Sequence, residues 1–533
     1  MRLMKKKYLS FLIPLLLCFL LFGILGSFYS DYDTLIYLIG YGIYTDYPFH
    51  DFIIDTYFLI GPYVAFINSR FPELQFLDIF SLTMNIAAIT VLGSIVFKKL
   101  IVRQYQPLFY FTYFLIFIIL FSDHILNLNT TRIVFLGMAG VLMLDYFVRS
   151  RSWRHYFAFC SSIILLSLLR LDAALLSAVI YTLFILTLGT FRSYRIIPLI
   201  ITLFVFALFH FLVVNFTSEA KQMFYYSELD MFDRNNIAYS RLSEQDALVI
   251  SLLRYQIFDT YHFSREFVNK VIDYNINPFL NGILPRNFIS TFKESLSDYR
   301  NVMPLLITAV LLSIIYLGTS CTRLKHKLFV GFYLFLPLLI NLYIITPTRF
   351  LAPYYTLVIL ITLINIKGEI LENYKFIILL IVTFGLSLRS LMLLHLFYTQ
   401  HVSQSTLFQN KLDALEAVHQ GQPIILERFA PENDFPNPLD KMKRRNMAFL
   451  NMFYLASFEC YQSRWKRLCQ CNPLSLREKM SYIANQQVPF VSVDFILPVY
   501  EKYFCEMYGL TIRFTKQQNL MKRWNVYKVE LSH

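Results

Sequence analysis

Five carboxylates stand in one aromatic stretch near the start of the chain: Asp31, Asp33, Asp46, Asp51 and Asp55, within residues 27–68. Carboxylates beside an apolar segment are costly unless they face water, protein or substrate. A connection that only joins two spans has no need of them, so this stretch is read as an active-site loop. Three arginines join them from elsewhere: Arg132 in SDHILNLNTTR, Arg170 beside Asp172 in LLRLDAA, and Arg349 in TPTRFLAPY. Arginine holds phosphate through a planar fork, and a carboxylate takes a proton from an attacking hydroxyl. Together these types suit group transfer from a phosphate-bearing substrate. The plainer reading keeps the arginines as helix-end anchors or partners of nearby acids, and it stands for each of them.

On a helix starting near Asp31, Asp33 and Tyr37 share a face by their four-residue spacing, while Asp31 points elsewhere or caps the helix. His50 and His124 read as metal or phosphate contacts or, more plainly, as interfacial hydrogen bonders. No His/Cys/Glu spacing matches a structural zinc site; a divalent cation beside the acids is the only metal the reading allows.

The elements that must position these residues are apolar. Of 533 residues, 56% are hydrophobic and 16% charged, with mean hydropathy +0.51. That composition is a polytopic α-helical membrane protein. Eleven spans are expected: 8–26, 78–97, 107–121, 132–147, 156–169, 172–190, 195–215, 302–318, 328–345, 351–366 and 376–396. Residues 28–77 and 216–301 form two long outer loops. The net charge of +13 lies largely in short segments such as Lys98, Lys99 and Arg103, or Arg149, Arg151 and Arg154. Those segments alternate as the positive-inside rule requires, so the charge speaks for topology rather than nucleic acid. The expected orientation has a cytoplasmic N-terminus, with all the site residues and the C-terminal domain outside.

Residues 398–404 read as a linker, and 398–533 as a small extracytoplasmic α/β domain after a membrane domain over 1–397. QPIILERF and VPFVSVDF read as strands, LREKMSYIANQQ and PVYEKYFCEMYG as helices, and TIRFTKQQN with KRWNVYKVEL as a hairpin. Ser243 and Asp246 have capping-box spacing before an apolar-periodic helix, in a loop that either covers a cavity or packs on the C-terminal domain. Cys460, Cys469, Cys471 and Cys505 permit disulfides there.

Several pieces resemble the GT-C superfamily of membrane glycosyltransferases: SDYD after the first span, then Tyr37, YPFHDF and GPY, LLSLLRLDAALL, and TRFLAPYYTL. The chain departs from that pattern in Asp31-Tyr-Asp33, where paired Asp-Glu is common, and in Leu171, where proline is usual. The resemblance, over roughly residues 8–396, implies a GT-C-like fold in a bacterial plasma membrane. It implies a polyprenyl-phosphate or diphosphate sugar donor and a glycan, lipid or protein acceptor at the outer face. It favours Asp31 as the base, with Asp33 positioning substrate or a cation. Tyr37, Asp51, Asp55, Arg132, Arg170, Asp172 and Arg349 are then expected to contact substrate. A transporter of lipid-linked saccharide is the competing reading, weakened by charges at span ends and the lack of repeats. A non-catalytic relative is the third.

Overall fold

The computed structural model describes residues 2–25, 28–29, 66–67, 70–71, 76–100, 106–147, 152–188, 196–215, 242–254, 257, 259, 261–271, 285–318, 331–337, 348–366, 368–371, 373–419, 423–427, 452–454, 475–521 and 524–532. The protein is mostly helical, with a small C-terminal sheet. The chain divides into two compact units. One comprises Met1–Thr34, Leu77–Phe209 and Gly282–Thr399; the other Leu35–Phe76, His210–Asn281 and Gln400–His533.

The first unit holds α1 (Arg2–Leu25), α2 (Phe76–Leu100), α3 (Gln106–Leu126), α4 (Thr130–Phe147), α5 (Trp153–Leu169), α6 (Leu171–Leu188) and most of α7 (Ile197–Asn215). It also holds two short strands, β1 (Phe28–Tyr29) and β2 (Asn127–Leu128). Helices α8 (Glu244–Arg254) and α9 (Arg265–Val271) belong to the second unit. The first unit resumes with α10 (Pro285–Gly318), α11 (331–337), α12 (Thr348–Asn365), α13 (Gly368–Leu371) and the first part of α14 (Tyr374–His419). Each of the eleven apolar segments thus carries a helix. Among the described residues, four are long and apolar enough to cross a membrane: Tyr8–Leu25, Ile79–Leu100, Pro107–Leu126 and Tyr374–Leu396. Phe11, Phe19 and Ile24 on α1, and Phe204 on α7, leave large apolar side chains outward, as lipid-facing helices do.

Packing inside this unit depends on close approach. A Cβ at Gly93 of α2 would sit 2.8 Å from Phe117 and 2.9 Å from Pro14, so its absence lets α1, α2 and α3 meet. At Gly137 of α4 the same test meets Leu166 of α5 at 2.8 Å. The core then closes around α12, which packs on α3, α4 and α10.

Two boundaries differ from the sequence reading. The outer loop expected to run to residue 301 turns helical at Pro285, because proline suits the first helical position and no breaker follows until Pro304. The linker expected over 398–404 does not exist. Helix α14 continues through it to His419, since no glycine or proline interrupts residues 386–419.

The second unit contains a five-stranded mixed sheet. Its strands are β3 (Ile424–Leu426), β4 (Met452–Tyr454), β5 (Phe490–Val493), β6 (Thr511–Met521) and β7 (Trp524–Ser532), in the order β4-β3-β5-β7-β6. β4, β3 and β5 are parallel; β7 and β6 complete the sheet antiparallel. Helix α15 (Leu476–Asn485) opens with a capping box between Ser475 and Glu478. Helix α16 (Leu497–Tyr508) ends on Gly509, whose positive φ makes it a left-handed cap. The expected strands, helices and terminal hairpin are present. β4 was not anticipated. Cys505 carries a free thiol, so no disulfide reaches it, and the other three cysteines of this domain lie outside the described residues.

The 242–271 segment belongs to this unit. Helix α8 carries the Ser243–Asp246 cap, with Ser243 Oγ donating to Asp246 Oδ2 at 2.6 Å and Asp246 N to Ser243 Oγ at 3.1 Å. It packs on α16, which realises the packing reading of this loop. Lys270 of α9 pairs with Asp246 at 2.7 Å. Burial alone would raise the Asp246 pKa; the Lys270 and Ser243 bonds outweigh it and hold it below the usual range.

Asp259 is the keystone of this docking. It is 2% exposed. Its Oδ2 accepts from Tyr503 Oη at 2.8 Å and from Tyr508 Oη; its Oδ1 accepts from the first N–H of α15, at Leu476, at 3.3 Å. A helix start leaves that N–H without an internal partner, and Asp259 supplies one. His262 stands edge-on to Tyr503 and Tyr508, with ring centroids 6.1 and 5.4 Å away, and its Nε2 is buried. Burial lowers the His262 pKa, against the opposing pull of the Asp259 charge.

A histidine held below its ordinary value of 6.5 contributes stability that is present above that value and lost as pH falls beneath it. Residues 259–271 are therefore expected to exchange amide hydrogens faster at about pH 5.5 than at about pH 7.5, after correction for intrinsic rates. The groups facing His262 are Asp259, Tyr261, Tyr503 and Tyr508, with Arg477 over the Tyr508 ring at 5.8 Å. His262→Phe should flatten the dependence; an unchanged dependence in that variant assigns it to another group.

Candidate functional site

Two residues of backbone seat the start of the acidic loop. β1 pairs in parallel with β2, Tyr29 opposite Leu128. The turn joining α3 to α4 therefore holds the chain two residues before Asp31. Asp31, Asp33, Tyr37, Asp51, Asp55 and His50 themselves lie outside the described residues.

That turn is a buried polar knot. Asp123, near the end of α3, takes Arg132 Nη1 on Oδ2 at 2.6 Å and Asn127 Nδ2 on Oδ1 at 2.6 Å. Arg132, in the first turn of α4, is 3% exposed and also donates to the Asp123 carbonyl at 3.3 Å. Removing either partner of such a buried pair leaves an uncompensated charge. Asn129 starts the helix: its side-chain oxygen accepts from Thr131 N at 2.8 Å. That is the usual work of an asparagine at a helix start. Asp123 was not singled out from the sequence, although it stands within the SDHILNLNTTR string.

His124, next in line, is fully buried. Its Nε2 meets Thr356 Oγ1 of α12 at 2.9 Å, and its carbonyl accepts from Asn85 Nδ2 of α2 at 2.8 Å. His124 therefore ties three helices together as a buried hydrogen-bonding residue. Thr356 lies about two helical turns after Arg349 on α12. Arg349 opens that helix, half-buried, and Pro353 has no N–H to give to its carbonyl.

The remaining pair comes from the α5–α6 turn. His155 bonds Asp145 at 3.3 Å and Leu166 faces Gly137, so α5 runs back along α4. It delivers Arg170 to the end from which α4 starts. A single extended residue, Arg170 itself, separates α5 from α6, and its Nε donates to Asp172 Oδ1 at 3.0 Å. Arg170 is 5% exposed and Asp172 about half exposed, so the carboxylate faces outward from the pair. The end from which α4 starts thus gathers Arg132, Arg170 and Asp172, while Arg349 stands in the first turn of α12. Among the described residues no group of three His, Cys, Asp or Glu side chains is placed to hold a metal ion.

No protein-family model, no curated protein and no solved structure matches this chain.

Proposed function

We propose that this protein is an integral-membrane glycosyltransferase of the GT-C kind, moving a sugar from a polyprenyl-phosphate or diphosphate donor to an acceptor at the outer face. Its eleven helical segments cross the bilayer in that reading, with the C-terminal unit outside. The observation that carries it is the β1–β2 pairing. It seats Tyr29, two residues before Asp31 in sequence, beside the turn that holds Asp123, Arg132 and His124. In this reading a proton acceptor and guanidinium groups meet at one end of the helices.

The reaction is an inverting single displacement. Asp31 takes the acceptor hydroxyl proton, that oxygen bonds the anomeric carbon, and the lipid phosphate departs with the bonding pair. Negative charge grows on the leaving phosphate. Arg349 meets it, at a helix start whose free N–H groups add to the guanidinium. Asp33 positions substrate or a divalent cation, and Tyr37, Asp51 and Asp55 line the sugar. Arg132 and Arg170 face the same end while steadying Asp123 and Asp172. A transporter of the same lipid-linked saccharide remains the alternative, and turnover separates the two.

The test uses purified protein in liposomes with a panel of polyprenyl-linked sugars and candidate acceptors. Release of free polyprenyl phosphate or diphosphate together with a glycosylated acceptor is expected. Movement of intact lipid-linked sugar between leaflets, without cleavage, sinks the transferase reading in favour of transport.

A further inference from the structure

In open sheets with parallel strands, ligands bind outside the carboxyl ends of neighbouring strands whose onward connections leave in opposite directions. The second unit has one such point. From β3 the chain goes to β4 on one side; from the adjacent β5 it goes through α16 to β6 at the opposite edge. The first residue past each strand is an acid: Glu427 after β3 and Asp494 after β5.

Around these two acids lies a row of hydrogen-bonding groups. Ser492 Oγ donates to Glu427 Oε2 at 3.0 Å, with both residues fully buried. Asn525, the register partner of Ser492 on β7, donates from Nδ2 to Asp494 Oδ1 at 2.9 Å and to Tyr527 Oη at 3.1 Å. Tyr527 also donates to Asp494 Oδ1. Burial first, and then its bond to Asp494, pushes the Tyr527 phenol up to about 12, so it stays a donor. The Asn525 carboxamide oxygen, on a residue 2% exposed, accepts no hydrogen bond. Buried amide oxygens are seldom left so. At the outer end of the row Asp494 reaches the surface, and the next residue, Phe495, is 53% exposed.

We infer that the carboxyl ends of β3 and β5 form a saccharide-binding site, with Asp494 and the Asn525 carboxamide oxygen as its polar contacts and Phe495 as its apolar platform. A sugar ring carries hydroxyls on its edge, which donate to a carboxylate or amide oxygen. Its faces carry C–H groups that pack on an aromatic ring. Phosphate is disfavoured by the two acids. A hard cation would take the oxygens but gains nothing from the Phe495 ring. Only the identification of this saccharide with the acceptor of the reaction rests on the transferase reading.

Full-length protein, in a detergent without a sugar headgroup, is titrated with single methyl glycosides of hexoses and pentoses and followed by saturation-transfer NMR. At least one glycoside is expected to bind, and Phe495→Ala and Asp494→Ala should each weaken it about tenfold or more. Tyr261→Ala, which removes a 74% exposed ring elsewhere in the unit, should leave it unchanged. No binding up to about 50 mM, or binding indifferent to both variants, overturns the site. Binding of Ca²⁺ or Mg²⁺ lost in Asp494→Ala, without any glycoside binding, also overturns it in favour of a cation. Glycoside binding without transfer would sink the transferase reading alone; transfer without glycoside binding would sink this site alone.

Discussion

Asp31→Asn is expected to lose sugar transfer by about 10²–10⁴-fold, the usual contribution of a general base, while the protein still folds and binds donor. Asparagine nearly matches aspartate in shape but takes no proton near neutrality. An acceptor hydroxyl facing it keeps its hydrogen bond and loses the group that removes its proton. Asp33→Asn is expected to weaken substrate or cation binding with a smaller loss of turnover. The measurement is product formed per folded protein at saturating donor, beside donor binding for each variant. If Asp31→Asn transfers normally and Asp33→Asn does not, the two roles exchange. Normal transfer in both removes this loop from catalysis.

Asp259→Ala is expected to undock residues 242–271 from the rest of the second unit. The carboxylate is buried and is shared by two phenols, a helix-start N–H and the Tyr261 N–H. Alanine leaves the Tyr503 and Tyr508 hydroxyls and the Leu476 and Tyr261 N–H groups without this acceptor. Each buried group so stranded costs about 1–3 kcal/mol, and because they share one site a total of about 3–5 kcal/mol is expected. That corresponds to roughly 10 °C in the melting of this unit. Limited proteolysis should cut between α8 and α9 in the variant at temperatures where the parent resists. Tyr261→Ala, beside it in sequence but exposed, serves as control. A variant as resistant as the parent would show that α8 packing against α16 suffices without the carboxylate.

Local patterns carried much of the architecture. Apolar runs marked the helices of the first unit, and strand, helix and hairpin signals marked 476–532 almost residue by residue. The Ser243–Asp246 spacing predicted a cap that forms. What stayed hidden depends on contacts between distant residues. Asp123 lies within a string read for its arginine, and its pairing across the turn needs the knowledge that α3 ends there. Asp259 meets Tyr503 and Tyr508 across more than two hundred residues of chain, and no periodicity signals that. Glu427 and Asp494 stood at the ends of two strings correctly read as strands, but only the strand order makes them neighbours. The expected linker at 398–404 failed for the opposite reason: a polar composition was weighed above the absence of helix breakers.

The joining of α8 and α9 to the C-terminal sheet also sets the order in which the protein is built. About 240 residues separate Val271 from Tyr508, and ribosomes add about 5–20 residues per second. For about 10–50 s after their synthesis, α8 and Asp259 have no α16 or α15 to dock on. During that interval the apolar side of α8, with Val249, Leu252 and Leu253, is without its final cover. A nascent chain stalled before residue 497 should hold this segment open to protease or to a chaperone, and release of the full chain should close it.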